Sequence, residues 1–164
     1  MVEKCVIYSS SEEETIKIGE KLGKLLKPGS IVGLIGELGT GKTVLVKGIA
    51  RGMNIQEEPN SPTFVIMNKY DGRTPLYHFD LYRITSAEEL EGIGYEEYFY
   101  GNGVTVVEWS DRVKEIFPDK TIKIEITIPV EPDHKDETVR KINIEGKDRW
   151  LSSFKNTVEQ ASQL

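Results

Sequence analysis

Apolar positions recur with two different periods along this chain, and the alternation between them outlines the fold. Ile18, Leu22, Leu25 and Leu26 fall on one face of a helix. Ser11 with Glu14 three residues on is a capping box that predicts where that helix starts, and Pro28-Gly29 ends it. Lys4–Tyr8 before it reads as a short strand. Ile31–Ile35, the run IVGLI, has the continuous apolar character of a buried parallel strand. Val44–Arg51 is predicted helical, closed by Gly52. Thr63–Tyr70 and Leu76–Leu81 flank Asp71-Gly72, a hairpin signal. Ser86 with Glu89 is a second capping box, over Ser86–Leu90. Val104–Val107 reads as another buried strand, and Asp111–Phe117 as a short helix stopped by Pro118. Ile122, Ile124, Ile126 and Ile128 alternate with polar residues, as a half-buried strand requires, and Val139–Ile144 alternates likewise. Trp150–Val158 closes the chain as a helix.

This order predicts an α/β fold: a sandwich of helices around a mixed, mostly parallel sheet, with a β-hairpin insertion. No repeat, low-complexity tract or linker divides the chain, so residues 1–164 are read as a single domain. Hydrophobic residues are 38% and charged residues 29% of the chain, a globular balance. The net charge of -6 disfavours unaided binding to nucleic acid, so any contact with RNA is expected to pass through a partner. One cysteine, Cys5, excludes an intrachain disulfide and fits a reducing cytoplasm. No apolar run reaches the roughly 18 residues of a membrane span, and MVEKCVIYSS lacks a signal-peptide pattern.

The chemistry concentrates in GELGTGKT, Gly36 to Thr43, which satisfies the P-loop pattern at Gly36, Gly41, Lys42 and Thr43. Glycines let the backbone of Gly36, Glu37, Leu38, Gly39, Thr40 and Gly41 turn its amides inward around phosphates. The helix that follows, through Val44, presents its positive dipole end to the same anion. Lys42 reaches the β- and γ-phosphates, and the Thr43 hydroxyl can ligate Mg²⁺. The loop leaves an apolar strand and enters a helix, the setting phosphate binding requires.

A P-loop also needs a carboxylate from a neighbouring strand. Glu108 ends VTVVE, as an acid on a Walker B strand does, and Asp80 ends LYHFD. One acid can serve the ion and the other the attacking water, and the residues alone leave open which does which. Ser61-Pro-Thr-Phe64 is either a switch segment sensing the γ-phosphate or a plain turn into the hairpin. Trp109 either covers the site or packs in the core, and Arg83 either stabilises charge or pairs at the surface. Asn68-Lys69-Tyr70-Asp71 matches a guanine-reading pattern but sits too early in the chain, where Asp71 serves a turn. His78, between Tyr77 and Phe79, reads as a packed, satisfied histidine, and His134 in EPDHKDE as solvated. No Cys/His spacing suggests zinc. YEEYFY at 95–100 reads as a helix edge or, more sharply, a partner patch.

GELGTGKT, KGIARG, SPTF, HFDLYR and VEWSDR, in that order and spacing over about Ser11 to Ile128, resemble the TsaE family. These are small bacterial P-loop ATPases required for threonylcarbamoyladenosine formation in tRNA. The resemblance implies a compact P-loop sheet, ATP and ADP as ligands, and the protein partners TsaD and TsaB. It implies catalytic roles for Lys42, Asp80 and Glu108: Lys42 on phosphate, Thr43 and Glu108 on Mg²⁺, and Asp80 in hydrolysis. It further implies a switch-like role for Ser61–Phe64, a place beside the site for Trp109, and adenine near Ser11. Thr40 departs from the alanine frequent there, and the C-terminal tail carries no signature. Two other functions fit the same loop: a small-molecule kinase, weakened by the few arginines between residues 84 and 111, and a nucleotide-driven switch.

Overall fold

A computed structural model of the chain describes residues 1–62, 64–130 and 138–162, with residues 159–162 described by their backbone alone. The solvated reading of His134 therefore lies outside the described residues. Seven strands form one sheet in the order β1-β7-β6-β2-β5-β4-β3. The strands are β1 (Glu3–Ser9), β2 (Ile31–Ile35), β3 (Met67–Tyr70), β4 (Leu76–Asp80), β5 (Val104–Glu108), β6 (Ile122–Thr127) and β7 (Arg140–Gly146). The helices are α1 (Glu12–Leu25), α2 (Lys42–Gly52), α3 (Ala87–Glu91), α4 (Tyr95–Phe99) and α5 (Leu151–Ser162).

The four central strands β6, β2, β5 and β4 are parallel, while the pairs β1–β7, β7–β6 and β4–β3 are antiparallel. The expected mostly parallel sheet therefore holds for the core and not for its flanks. The hairpin is also less of an insertion than its turn signal suggests, because β4 pairs along its whole length with β5. Within it, Met67–Tyr70 is strand where Thr63–Tyr70 is expected, Thr63 itself lying outside the described residues. Ile66 before it turns through φ 69°, a conformation no β ladder accepts.

Side-chain alternation divides two apolar layers. Val32, Leu34, Val104 and Val106 face α1, α2 and α5, where Ile18, Leu22, Leu45, Ile49 and Phe154 close the first core. Ile31, Val107 and Phe79 face Leu90, Tyr95 and Phe99 of α3 and α4, which close the second. The short helix expected over Asp111–Phe117 is Ser110–Ile116 below β5, wound as 3-10 turns and broken at Val113.

Helices α1 and α2 meet backbone to backbone. A Cβ on Gly48 would lie 2.2 Å from the Ile16 carbonyl, and one on Gly52 2.1 Å from that of Glu20. Gly52 is thus a packing glycine inside the last turn, and Met53 caps the helix in its place. At the other end of α1 the capping box is shifted: Ser11 Oγ accepts from the Glu14 amide, whereas the Glu14 carboxylate accepts from Ser10 N. On α3, Glu89 accepts from the hydroxyl of Thr85, and Ser86 makes no side-chain cap.

Candidate functional site

Parallel strands end on the same edge, so the carboxyl ends of β2, β5 and β4 lie side by side. In register, Leu34 pairs with Glu108, and Glu108 with Asp80. The glycine loop leaves β2 at this edge and turns into α2 through Gly41, whose φ of 106° suits a residue without a side chain. The first turn of α2 leaves the amides of Lys42, Thr43 and Val44 without intrahelical acceptors, as any helix start does. A cleft of about 680 Å³ opens here, lined by Gly39 to Val44, Asp80 and Glu108, with Ser11, Ser61, Trp109 and Arg140 around it.

Three charged side chains are sunk in the floor: Lys42, Asp80 and Glu108 are 5%, 4% and 2% exposed. Lys42 Nζ donates to the carbonyls of Gly36 and Glu37 at 2.5 and 3.0 Å. It also lies 4.1 Å from the centre of the Trp109 ring. Burial holds this ammonium below its usual pKa, and the charges of Glu108 and Asp80 offset that only in part. A second source of negative charge in the cleft would relieve it. Thr43 Oγ1 donates to both oxygens of Glu108, at 2.9 and 3.1 Å. Asp80 accepts from Ser61 Oγ at 2.5 Å and from the Tyr82 amide at 2.9 Å.

The sequence-predicted residues therefore converge, with three revisions. His78 is fully buried but not fully satisfied: its Nε2 lies 2.5 Å from Glu108 Oε2, and among the described residues its Nδ1 has no hydrogen-bond partner. It forms part of the acid's support, a role its apolar neighbours in the sequence concealed. Trp109 does not disappear into the core. It adopts φ 59° and ψ 40°, a left-handed conformation rare for a bulky residue, and this holds its indole over Lys42. Tyr82 packs against it with ring centres 5.0 Å apart. The C-terminal part of the chain, which carries no family signature, supplies Arg140. Arg83 stays out of the cleft and lies over the exposed ring of Phe64, 4.6 Å from its centre.

A family model described as "Threonylcarbamoyl adenosine biosynthesis protein TsaE" matches residues 9–138, which carry every one of these cleft residues except Arg140. The chain belongs to the TsaE family. Among its relatives, a tRNA threonylcarbamoyladenosine biosynthesis protein TsaE of Treponema pallidum is 46% identical over 125 residues, 76% of this chain and 91% of the relative. The TsaE of Bacillus subtilis is 44% identical over 115 residues, 70% of this chain and 72% of the relative. The crystal structure of Bacillus subtilis YdiB superposes with a TM-score of 0.77 at 30% identity, covering 99% of this chain and 98% of that one. For a TsaE-family chain, the weight thus falls on the cleft at the strand ends. Among the described residues, no helix is long and apolar enough to cross a membrane.

Proposed function

We propose that this chain is a P-loop ATPase, one domain in residues 1–164, that binds ATP in this cleft and hydrolyses it slowly. It would act on the TsaD–TsaB pair in threonylcarbamoyladenosine modification of tRNA, and touch tRNA through that complex. The observation that carries the reading is the convergence of Lys42, Thr43, Glu108 and Asp80 at one strand edge, beside the start of α2, whose first amides have no intrahelical acceptor. Family membership carries the pathway.

In this reading the residues from Gly36 to Val44 cradle the phosphates. Lys42 exchanges its loop carbonyls for phosphate oxygens, which supply the negative charge its burial lacks. The donor set fits Mg²⁺: one hydroxyl and one carboxylate, both oxygen, suit an ion that keeps several waters and takes its remaining contacts from phosphates. Thr43 and Glu108 would hold it, and it would neutralise charge developing on the phosphates. Asp80 would orient the attacking water and accept its proton, while the bond from the γ-phosphorus to the bridging oxygen breaks and ADP leaves. Ser61 on Asp80 links the segment after α2 to this acid, so ligand contents and the placement of Ser61 would be coupled. Nucleotide can shift partner docking only by its differential affinity for two such placements.

The test is turnover of ATP and of GTP, with and without the TsaD–TsaB pair. Stimulation of ATP hydrolysis by the pair is the expected result. Phosphate transfer to a small acceptor, with no response to the pair, would replace this reading with a kinase. The acidic helices α3 and α4 offer such an enzyme no arginine lid.

A further inference from the structure

Arg140 opens β7, which runs antiparallel to β6, so its amino end stands at the same sheet edge as the carboxyl ends of the parallel strands. From there it reaches the glycine loop. Its Nε donates to the Thr40 carbonyl at 2.9 Å and its Nη2 to the Gly39 carbonyl at 3.4 Å. Its Nη1 donates to the carbonyl of Val139 at 3.1 Å. The guanidinium is a rigid plane, so fixing one edge on two successive carbonyls fixes both peptides against it. In a trans peptide the carbonyl and the amide of the next residue point in opposite directions. A Thr40 carbonyl turned out to Arg140 therefore turns the Gly41 amide away from it.

We infer that Arg140 is a positioning residue that locks the glycine loop in its anion-receiving shape, from outside the cradle. The loop needs such a brace because Gly39 and Gly41, both at positive φ, leave its peptides little intrinsic preference for facing inward. The inner contacts made by Lys42 to Gly36 and Glu37 are given up when phosphate enters, whereas the Arg140 contacts fall on other carbonyls and can persist. Arg140 also lies just beyond residues 9–138, the stretch that the family model matches, and it is singled out here by its geometry. The role rests on the nucleotide reading above.

The experiment compares the unaltered chain with Arg140→Ala, Arg140→Lys and Arg140→Met. Hydrogen exchange is followed at the amides of residues 39 to 43 with and without ATP, and ATP affinity by calorimetry. Loss of two charge-assisted bonds is expected to reduce the protection that saturating ATP gives Gly41 and to raise Kd and KM for ATP roughly tenfold. kcat at saturation should be kept and the melting temperature little changed. Lysine should recover part of the affinity, since one ammonium can still serve one carbonyl, and methionine none. Two results would overturn the role: unchanged exchange and affinity in Arg140→Ala, or weakening that merely follows a lower melting temperature in all three variants alike. If the unaltered chain binds no ATP at all, the nucleotide reading itself falls and this role with it.

Discussion

Asp80 and Glu108 stand in register on neighbouring parallel strands, yet each is held by a different hydroxyl. Glu108 accepts from Thr43 at the start of α2, and Asp80 from Ser61 in the segment beyond that helix. Two carboxylates this close would repel if both faced bare solvent-free space. Here Lys42 lies near both, and separate donors anchor each.

That division of partners separates two variants. Glu108→Ala is expected to weaken Mg²⁺-dependent ATP binding by at least the roughly 10- to 100-fold that losing even an outer-sphere partner costs a metal site. Asp80→Ala should leave binding largely intact and lower kcat by about 100-fold or more, the usual contribution of a positioned base. Titration calorimetry with and without Mg²⁺, set beside steady-state turnover, reads both. Normal hydrolysis by both variants would remove these acids from the site.

Trp109 gives the site its own reporter. Its indole lies over the Lys42 ammonium, a contact of about 0.5–2 kcal/mol that ends if the ammonium moves to phosphate. ATP is therefore expected to change tryptophan emission. Trp150→Phe should keep the change, because Trp150 packs on Phe154 against the far core. Lys42→Ala should abolish it. A signal that survives Lys42→Ala but vanishes with Trp150 would place the responding group elsewhere.

The seam between α1 and α2 predicts a purely structural lesion. Gly48→Ala would drive a methyl into the Ile16 carbonyl, and backbone there has no room to yield. Overpacking of this kind costs about 3 kcal/mol or somewhat more, which lowers the melting temperature of a chain this size by roughly 6–12 °C. Thermal unfolding checks it, with Gly92→Ala as the control, since a Cβ there meets nothing closer than 3.6 Å.

Most of what could be read in advance depends on neighbours along the chain, though the cap expected at Ser86 passed to Thr85. The glycine loop, the cap at Ser11 and the Asp71-Gly72 turn are set by local backbone needs, and each appears where the residues placed it. His78 and Arg140 escaped because their partners lie 30 and 100 residues away, and only strand register brings them together. Gly52 was misread for a related reason: a glycine at a helix end resembles a cap, and only the path of a second helix shows that it makes room. Within the parallel core, β2 and β5 were legible from their apolar runs. The directions of β6, which joins that core, and of β7, which runs antiparallel to it, were not, since alternation marks a half-buried strand without giving its direction.

Helices in contact through their main chains cannot slide without collision. The join at Gly19–Gly48 and Gly23–Gly52 thus makes one stiff jaw of the cap at Ser11 and the loop at Gly41. Any widening or narrowing of the cleft would then fall to the facing jaw, where the hydroxyl of Ser61 meets Asp80. In the proposed reading, a protein docked on that side would feel a full cleft or an empty one as a difference in shape.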